Sequence, residues 1–193
     1  MYLPTPKTLA ALDACDDQRN LWADLFFNGD LESTKQVEWT AERLQDCADK
    51  GVDLGWGFER GLGSSLPRAL ALTDPYCAYL YACYVDKGPR DDTRQAALTD
   101  SYCAYLYARD VDRAPRDDTR QAVLRGHRCA YWYARDVDMG PRDDTRQAVL
   151  DDPSHAYIYA LDVDKGPHDD TRQAASRDPG YATMYARYVN PLA

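Results

Sequence analysis

Apolar and polar positions return in the same order along most of this chain, one unit of fixed length after another. The units read PYCAYLYACYVDKGPRDDTRQAALTD (75–100), SYCAYLYARDVDRAPRDDTRQAVLRG (101–126), HRCAYWYARDVDMGPRDDTRQAVLDD (127–152) and PSHAYIYALDVDKGPHDDTRQAASRD (153–178). A half unit, PGYATMYARYVNPLA, follows at 179–193. A fixed period of this size marks stacked supersecondary units, none of which buries its apolar face alone. Within the first unit Ala78, Tyr81, Ala82 and Val85 stand at i, i+3, i+4 and i+7. The same stripe returns as Ala104, Tyr107, Ala108, Val111 and as Ala130, Tyr133, Ala134, Val137. That spacing predicts a helix of about 11 residues with the stripe facing inward. AYLYA on its own imitates a strand, but Ala is a poor strand former and the surrounding prolines suit helix starts.

Asp74-Pro75, Asp152-Pro153 and Asp178-Pro179 place a capping carboxylate before a proline at the first helical position. Gly88-Pro89, Gly140-Pro141 and Gly166-Pro167 are expected to supply a C-terminal glycine to one helix and a starting proline to a second, of about 10 residues. The second helix carries DDTRQA, identical at 91–96, 117–122, 143–148 and 169–174. On it Thr93, Ala96 and Ala97 share a face with Pro89, small enough for close packing. Asp91 and Asp92 complement the helix N-terminus. Arg94 and Gln95 are expected to face outward or toward the carboxylates of the next unit. The fold expected is all-α: a right-handed-type α-solenoid of 26-residue helix-turn-helix repeats with a helical N-terminal cap.

Residues 1–74 carry no clean copy of the repeat. KTLAALDACDDQRNLWADLFF reads as a helix and a broken helix, Asn28-Gly29-Asp30 as a turn, and Leu31–Lys50 as one amphipathic helix with Val37, Leu44 and Ala48 on its apolar side. GVDLGWGFERGLGSS reads as a glycine-rich connection; it lacks GK[ST] and follows no strand, so it is no phosphate loop. Ser65–Leu72 resembles the second helix of a degenerate repeat. The domain expectation is an acidic helical region, 1–74, that caps the stack or binds a partner, and a repeat array, 75–193.

Composition sharpens that division. Net charge is −9, and residues 1–74 hold 13 acidic against 7 basic side chains, including all four glutamates, while 75–193 hold 19 against 16. Such a balance argues against direct nucleic-acid binding, which needs phosphate-neutralising cations. It suits a protein partner with a basic surface. The candidate contact residues are Glu32, Glu38, Glu42, Asp46 and Asp49 with Trp56 in the acidic region. A second row lies about 160° round the first helices from the inner stripe: Leu80, Leu106, Trp132, Ile158 and Met184. Either neighbouring repeats bury this row, or it forms an exposed apolar rail with Trp132 as anchor.

Fifteen tyrosines against three phenylalanines suit a thin, half-wet structure better than one thick core. Six cysteines form no CxxC pair and no zinc-ligand spacing. Cys77, Cys103 and Cys129 share one repeat position, where helices ~8–10 Å apart keep Cα atoms beyond the ~7 Å a disulfide allows. Reduced thiols, no secretory leader pattern and no membrane-length apolar run make the expected compartment the cytoplasm. DVDRAPRDD (110–118) opens like a calcium loop, but the closing glutamate of an EF-hand would fall at Gln121 and a helix start interrupts it. His127, His155 and His168 occupy different repeat positions and read as solvated histidines without a nucleophile. No catalytic residue, metal or cofactor is expected.

The AYxYAxxV helices alternating with short second helices resemble helical tandem-repeat proteins of phage and bacterial genomes. DACDDQRNLWADLF and WTAERLQDCADKGVDLGWGFERGLG are similar to a leader that precedes such arrays. The resemblance implies a phage or mobile-element setting, where small acidic proteins include inhibitors of host defence such as anti-CRISPR proteins. It brings no catalytic residues. Two expectations follow: a non-enzymatic inhibitor that occludes a basic surface on a defence nuclease or other nucleic-acid-handling complex, or a self-associating scaffold. The closing PLA favours the second.

Overall fold

Four of the five repeat starts fall on a capping carboxylate, and the third starts at His127 after Gly126 without one. The computed structural model describes residues 1–190, and its regular structure is helical, as the repeat predicted, apart from one isolated antiparallel bridge between Tyr2 and Glu38. The first helices of the repeats are α6 (Pro75–Tyr81), α8 (Ser101–Leu106), α10 (His127–Asp136), α12 (Pro153–Tyr159) and α14 (Pro179–Tyr188). The Asp74 carboxylate accepts from the Cys77 amide at 2.7 Å, Asp100 from Cys103, Asp152 from Ser154 and His155, and Asp178 from Gly180 and Tyr181.

The first helices end differently from the expectation. In α6 the last α-turn widens to an i→i+5 turn over Ala82–Asp86, and α8 and α12 do the same over Tyr107–Asp112 and Ala160–Asp164. The left-handed residue that stops each helix is Lys87, Arg113, Met139 or Lys165, with φ of 53–56°. Gly88, Gly140 and Gly166 come next in the chain, and their amides close the turn by donating to the carbonyls of Ala82, Ala134 and Ala160. No positive φ is asked of the glycine, which is why Ala114 serves in the second unit. The prolines are displaced too. The second helices, α7 (Asp91–Ala97), α9 (Asp117–Val123), α11 (Asp143–Val149) and α13 (Asp169–Ala175), start at the second position after each proline. Arg116, Arg142 and His168 take the N-cap position.

The described chain divides into two compact units, Met1–Ala96 and the residues from Ala97 on; the division falls at the end of α7, whereas the composition shifts near residue 74. In the first unit Thr5 caps α1 (Pro6–Ala11), α2 spans Asp16–Phe26, and the turn that follows holds Asn28 and Gly29 at positive φ. Leu31–Lys50 is not one helix. Residues 35–39 run extended because Leu3 donates to the Val37 carbonyl at 2.7 Å and Trp39 to that of Met1 at 3.2 Å. Val37 and Trp39 then point inward and Glu38 outward, a period of two. α3 is Ala41–Lys50, capped by Thr40, and it buries Leu44 and Cys47 while Ala48 is exposed. The glycine-rich stretch holds α4 (Leu54–Glu59), capped by Asp53, and a 3₁₀ turn at Leu62–Ser65. Gly63 is needed there, since a Cβ on it would lie 2.3 Å from the Phe58 ring. The core of this unit gathers Leu3, Leu9, Trp22, Val37, Trp39 and Phe58 among others. The short helix expected at Ser65–Leu72 is α5, Arg68–Ala71.

In the second unit α8, α10 and α12 each pack on the second helix of their own hairpin, the first helices α8, α10, α12 and α14 pack on one another in turn, and α9 packs on α10, α11 on α12 and α13 on α14. The inner stripe is buried as predicted: Ala104, Tyr107, Ala108, Ala130, Tyr133 and Ala134 are closed to solvent.

Candidate functional site: repeat interfaces, charged faces and a histidine cluster

DDTRQA has its main role at the joint between hairpins. Thr119 Oγ1 lies 2.8 Å from the hydroxyl of Tyr133 in the following hairpin, and that hydroxyl accepts from the Arg116 amide and donates to the Arg116 carbonyl. Thr145 and Tyr159 repeat the arrangement with Arg142, and Thr171 and Tyr185 with His168. The buried tyrosine thus satisfies the N-terminal backbone of the preceding second helix. Of the two expected orientations of the arginine, Arg94, Arg120 and Arg146 take the inward one and Arg172 stays exposed. Arg120 is buried and reaches Asp138 of the next hairpin, with Nη2 to Oδ1 at 2.7 Å, and its guanidinium lies 5.7 Å from the Tyr133 ring centre. Arg146 reaches Asp164 in the same way. Gln121 and Gln147 face solvent. Arg68 stands one repeat length before Arg94 and bonds Asp86 at 2.7 Å and Asp92 at 2.6 Å, so α5 does act as the second helix of a degenerate repeat. The aspartates that suggested a calcium loop face arginines: Asp110 pairs with Arg109 at 2.6 Å, and the nearly buried Asp112 lies 4.0 Å from Arg116; their counterparts Asp138 and Asp164 are nearly buried beside Arg120 and Arg146.

A second polar chain crosses the outer side of the first helices. Tyr105 donates to Asp136 at 2.7 Å and Tyr131 to Asp162 at 2.6 Å, while Arg135 grips Asp136 through two bonds and reaches the Tyr131 hydroxyl. Arg135 holds the Asp136 carboxyl below its ordinary range, and burial pushes the Tyr105 phenol up. Leu161 stands where Arg109 and Arg135 do, so the fourth repeat lacks the arginine of this chain.

Of the residues proposed for partner contact, Glu32, Glu38, Glu42 and Asp49 are exposed and Asp46 is half-buried. Glu42, Asp46 and Asp49 stand at i, i+4 and i+7 on α3, one face of that helix. Trp56 is half-buried beside an apolar cleft of about 50 Å³, with the Arg60 guanidinium 5.7 Å from its ring. Sites for drug-sized ligands run to ~300 Å³ or more. The apolar rail does not run the length of the repeats. Leu80 and Leu106 are only 3% and 6% exposed, so packing within the fold already covers them. Trp132 is half-buried against Tyr102 and Tyr105 with Arg128 stacked over it, Ile158 is half-buried, and Met184 is exposed. All six cysteines are free, and burial pushes the Cys47 thiol up to about 12. No helix among the described residues is long and apolar enough to cross a membrane.

The histidines are not all separate. His127 at the start of α10 and His155 in the first turn of α12 lie with ring centres 4.4 Å apart, both facing Asp152. Linear spacing hides this, because the two histidines stand one full repeat and two further positions apart. Removing the repeat leaves only those two positions, on adjacent helix starts. The Ser154 hydroxyl, and the amide and ring of His155, hold the Asp152 carboxyl well below its ordinary range despite partial burial. His168 is elsewhere, beside Asp170. Comparison with known proteins assigns none of these groups a role: no family model matches the chain, and no curated protein or solved structure resembles it significantly.

Proposed function

We propose that the protein is a non-enzymatic protein-binding module that inhibits a partner by covering a basic surface. The partner class is a nucleic-acid-handling complex, such as a defence nuclease met by a phage or mobile element. The observation that carries this reading is the row of exposed carboxylates at the leading edge of the second helices. Asp117, Asp143 and Asp169 are almost wholly exposed, each steadied by the arginine three positions on, and they recur once per repeat. The acidic face of α3 carries charge of the same sign in the first unit. Regular carboxylates held by ion pairs present fixed negative charge to a basic surface.

The partner surface would therefore be lysine- and arginine-rich, and association fast and salt-dependent. The test is affinity capture from a bacterial host lysate with the full chain and with a variant carrying Asp117→Asn, Asp143→Asn and Asp169→Asn together with Glu32→Gln, Glu38→Gln, Glu42→Gln and Asp49→Asn. A basic nucleic-acid-handling protein retained by the full chain, and lost both in ~0.5 M salt and with the variant, supports the reading. Capture indifferent to salt and to the substitutions overturns the electrostatic mechanism. Met184 and Tyr188 are exposed on α14 and favour self-association as the second reading; recovery of the chain only with copies of itself would select it.

A further inference from the structure

His127, Asp152 and His155 converge from two neighbouring helices, and the arrangement does more than cap α12. Asp152 Oδ1 is fully engaged: it accepts from the Ser154 and His155 amides at 2.9 and 3.0 Å, bonds the Ser154 hydroxyl, and lies 3.1 Å from His155 Nδ1. Oδ2 faces His127 Nε2 at 3.8 Å, too long for a hydrogen bond. One donor atom from each of the three residues falls within 4.8 Å of the others. In a tetrahedral site with bonds of ~2.0–2.1 Å, neighbouring ligand atoms are ~3.4 Å apart. A small rotation of the His127 ring, whose side chain is 46% exposed, closes the difference.

We propose that His127, Asp152 and His155 form a binding site for a divalent transition-metal ion of the zinc class, tying the start of α10 to the start of α12 and leaving the fourth position to water. Two imidazoles and one carboxylate are donors that zinc, nickel, copper and cobalt accept and that calcium and magnesium do not prefer. Asp152 supplies the negative charge that offsets the unfavourable placing of a cation at two helix N-termini. The Ser154 hydroxyl orients the carboxylate from behind, as outer hydrogen bonds do in metal sites. The half-exposed position gives the ion a direct path from solvent.

Titration of the chelator-stripped full chain with Co²⁺ alone, near neutral pH and under reducing conditions, tests the site. One equivalent bound with a weak visible band and no thiolate charge-transfer band is the expected result, because the cysteines then play no part. His127→Gln lies on the surface and leaves the fold intact; it should weaken Co²⁺ binding roughly tenfold or more, and His155→Gln likewise. His168→Gln, elsewhere on the same unit, should change nothing. Absence of saturable binding, a thiolate band, or an affinity unmoved by His127→Gln would each overturn the proposal. The site belongs to the second unit's own helices, so this result is independent of whether the protein inhibits a partner.

Discussion

Replacing Asp138 by Asn isolates the arginine of DDTRQA without changing the shape of its pocket. The Arg120 and Asp138 side chains are 9% and 5% exposed, so each depends on the other for its charge to be tolerated. Removing one partner of such a buried pair costs about 3–5 kcal/mol, mostly as the burden of the charge left behind. Arg120 keeps Asp117 at 2.9 Å, but that carboxylate is fully solvated, and an exposed pair returns only about 0–1 kcal/mol. The net loss is about 2–5 kcal/mol. Urea unfolding followed by circular dichroism measures it, and at a slope of about 2 kcal/mol per molar urea the midpoint should drop by about 1–2.5 M. The paired substitution Arg120→Met with Asp138→Leu should recover most of the loss, since apolar residues of similar volume replace a buried pair at little cost. Asp117→Asn should shift stability by less than about 1 kcal/mol. If Asp138→Asn proved no worse than Asp117→Asn, the buried pair would not be what holds the joint. The chain contains a natural counterpart: Asn190 stands one repeat after Asp164, and the arginine that would meet it, Arg172, is 56% exposed.

Two further outcomes follow from the same geometry. Arg68 holds the Asp92 carboxyl at about 2, below its unfolded value of about 3.9. That contribution is full above pH ~4 and lost as pH falls through ~2. Stability of the wild type should therefore fall more steeply across that window than stability of Arg68→Met, read from urea midpoints at each pH. Asp92 is nearly half exposed, which keeps the difference small. Tyr159→Phe should cost about 1–3 kcal/mol by stranding the Arg142 amide, and adding Thr145→Val should cost less than the sum of the two single changes; thermal unfolding of the four proteins in the cycle decides it.

The helical repeat was legible because its determinants are local. Asp74, Asp152 and Asp178 cap amides in the first turn that follows each of them, and the Ala-Tyr-Ala-Val stripe reports its own buried face. What escaped lies between units. Arg120 reads as a surface residue until Asp138, 18 positions on, is folded beside it, and the Tyr133 hydroxyl that displaces Pro115 from the helix start is 17 positions from Arg116. The segment near Val37 and Trp39 departs from the helical expectation for a different reason. Its alternation spans too few residues to compete with a helical reading, and only pairing with Met1 and Leu3 draws it out. His127 and His155 read as unrelated because more than a full repeat separates them along the chain, whereas α10 and α12 lie side by side and bring the rings together.

The pairing of Arg120 with Asp138 and of Arg146 with Asp164 gives the interior of the array a grammar in which successive units present the same socket forward and the same plug behind. Excising 127–152 would set Arg120 opposite Asp164 and Thr119 opposite Tyr159, chemically the junction that already exists. Gain or loss of a whole interior unit can thus lengthen or shorten the protein without creating a mismatched Arg–Asp seam, and selection is free to adjust its reach before it adjusts its surface.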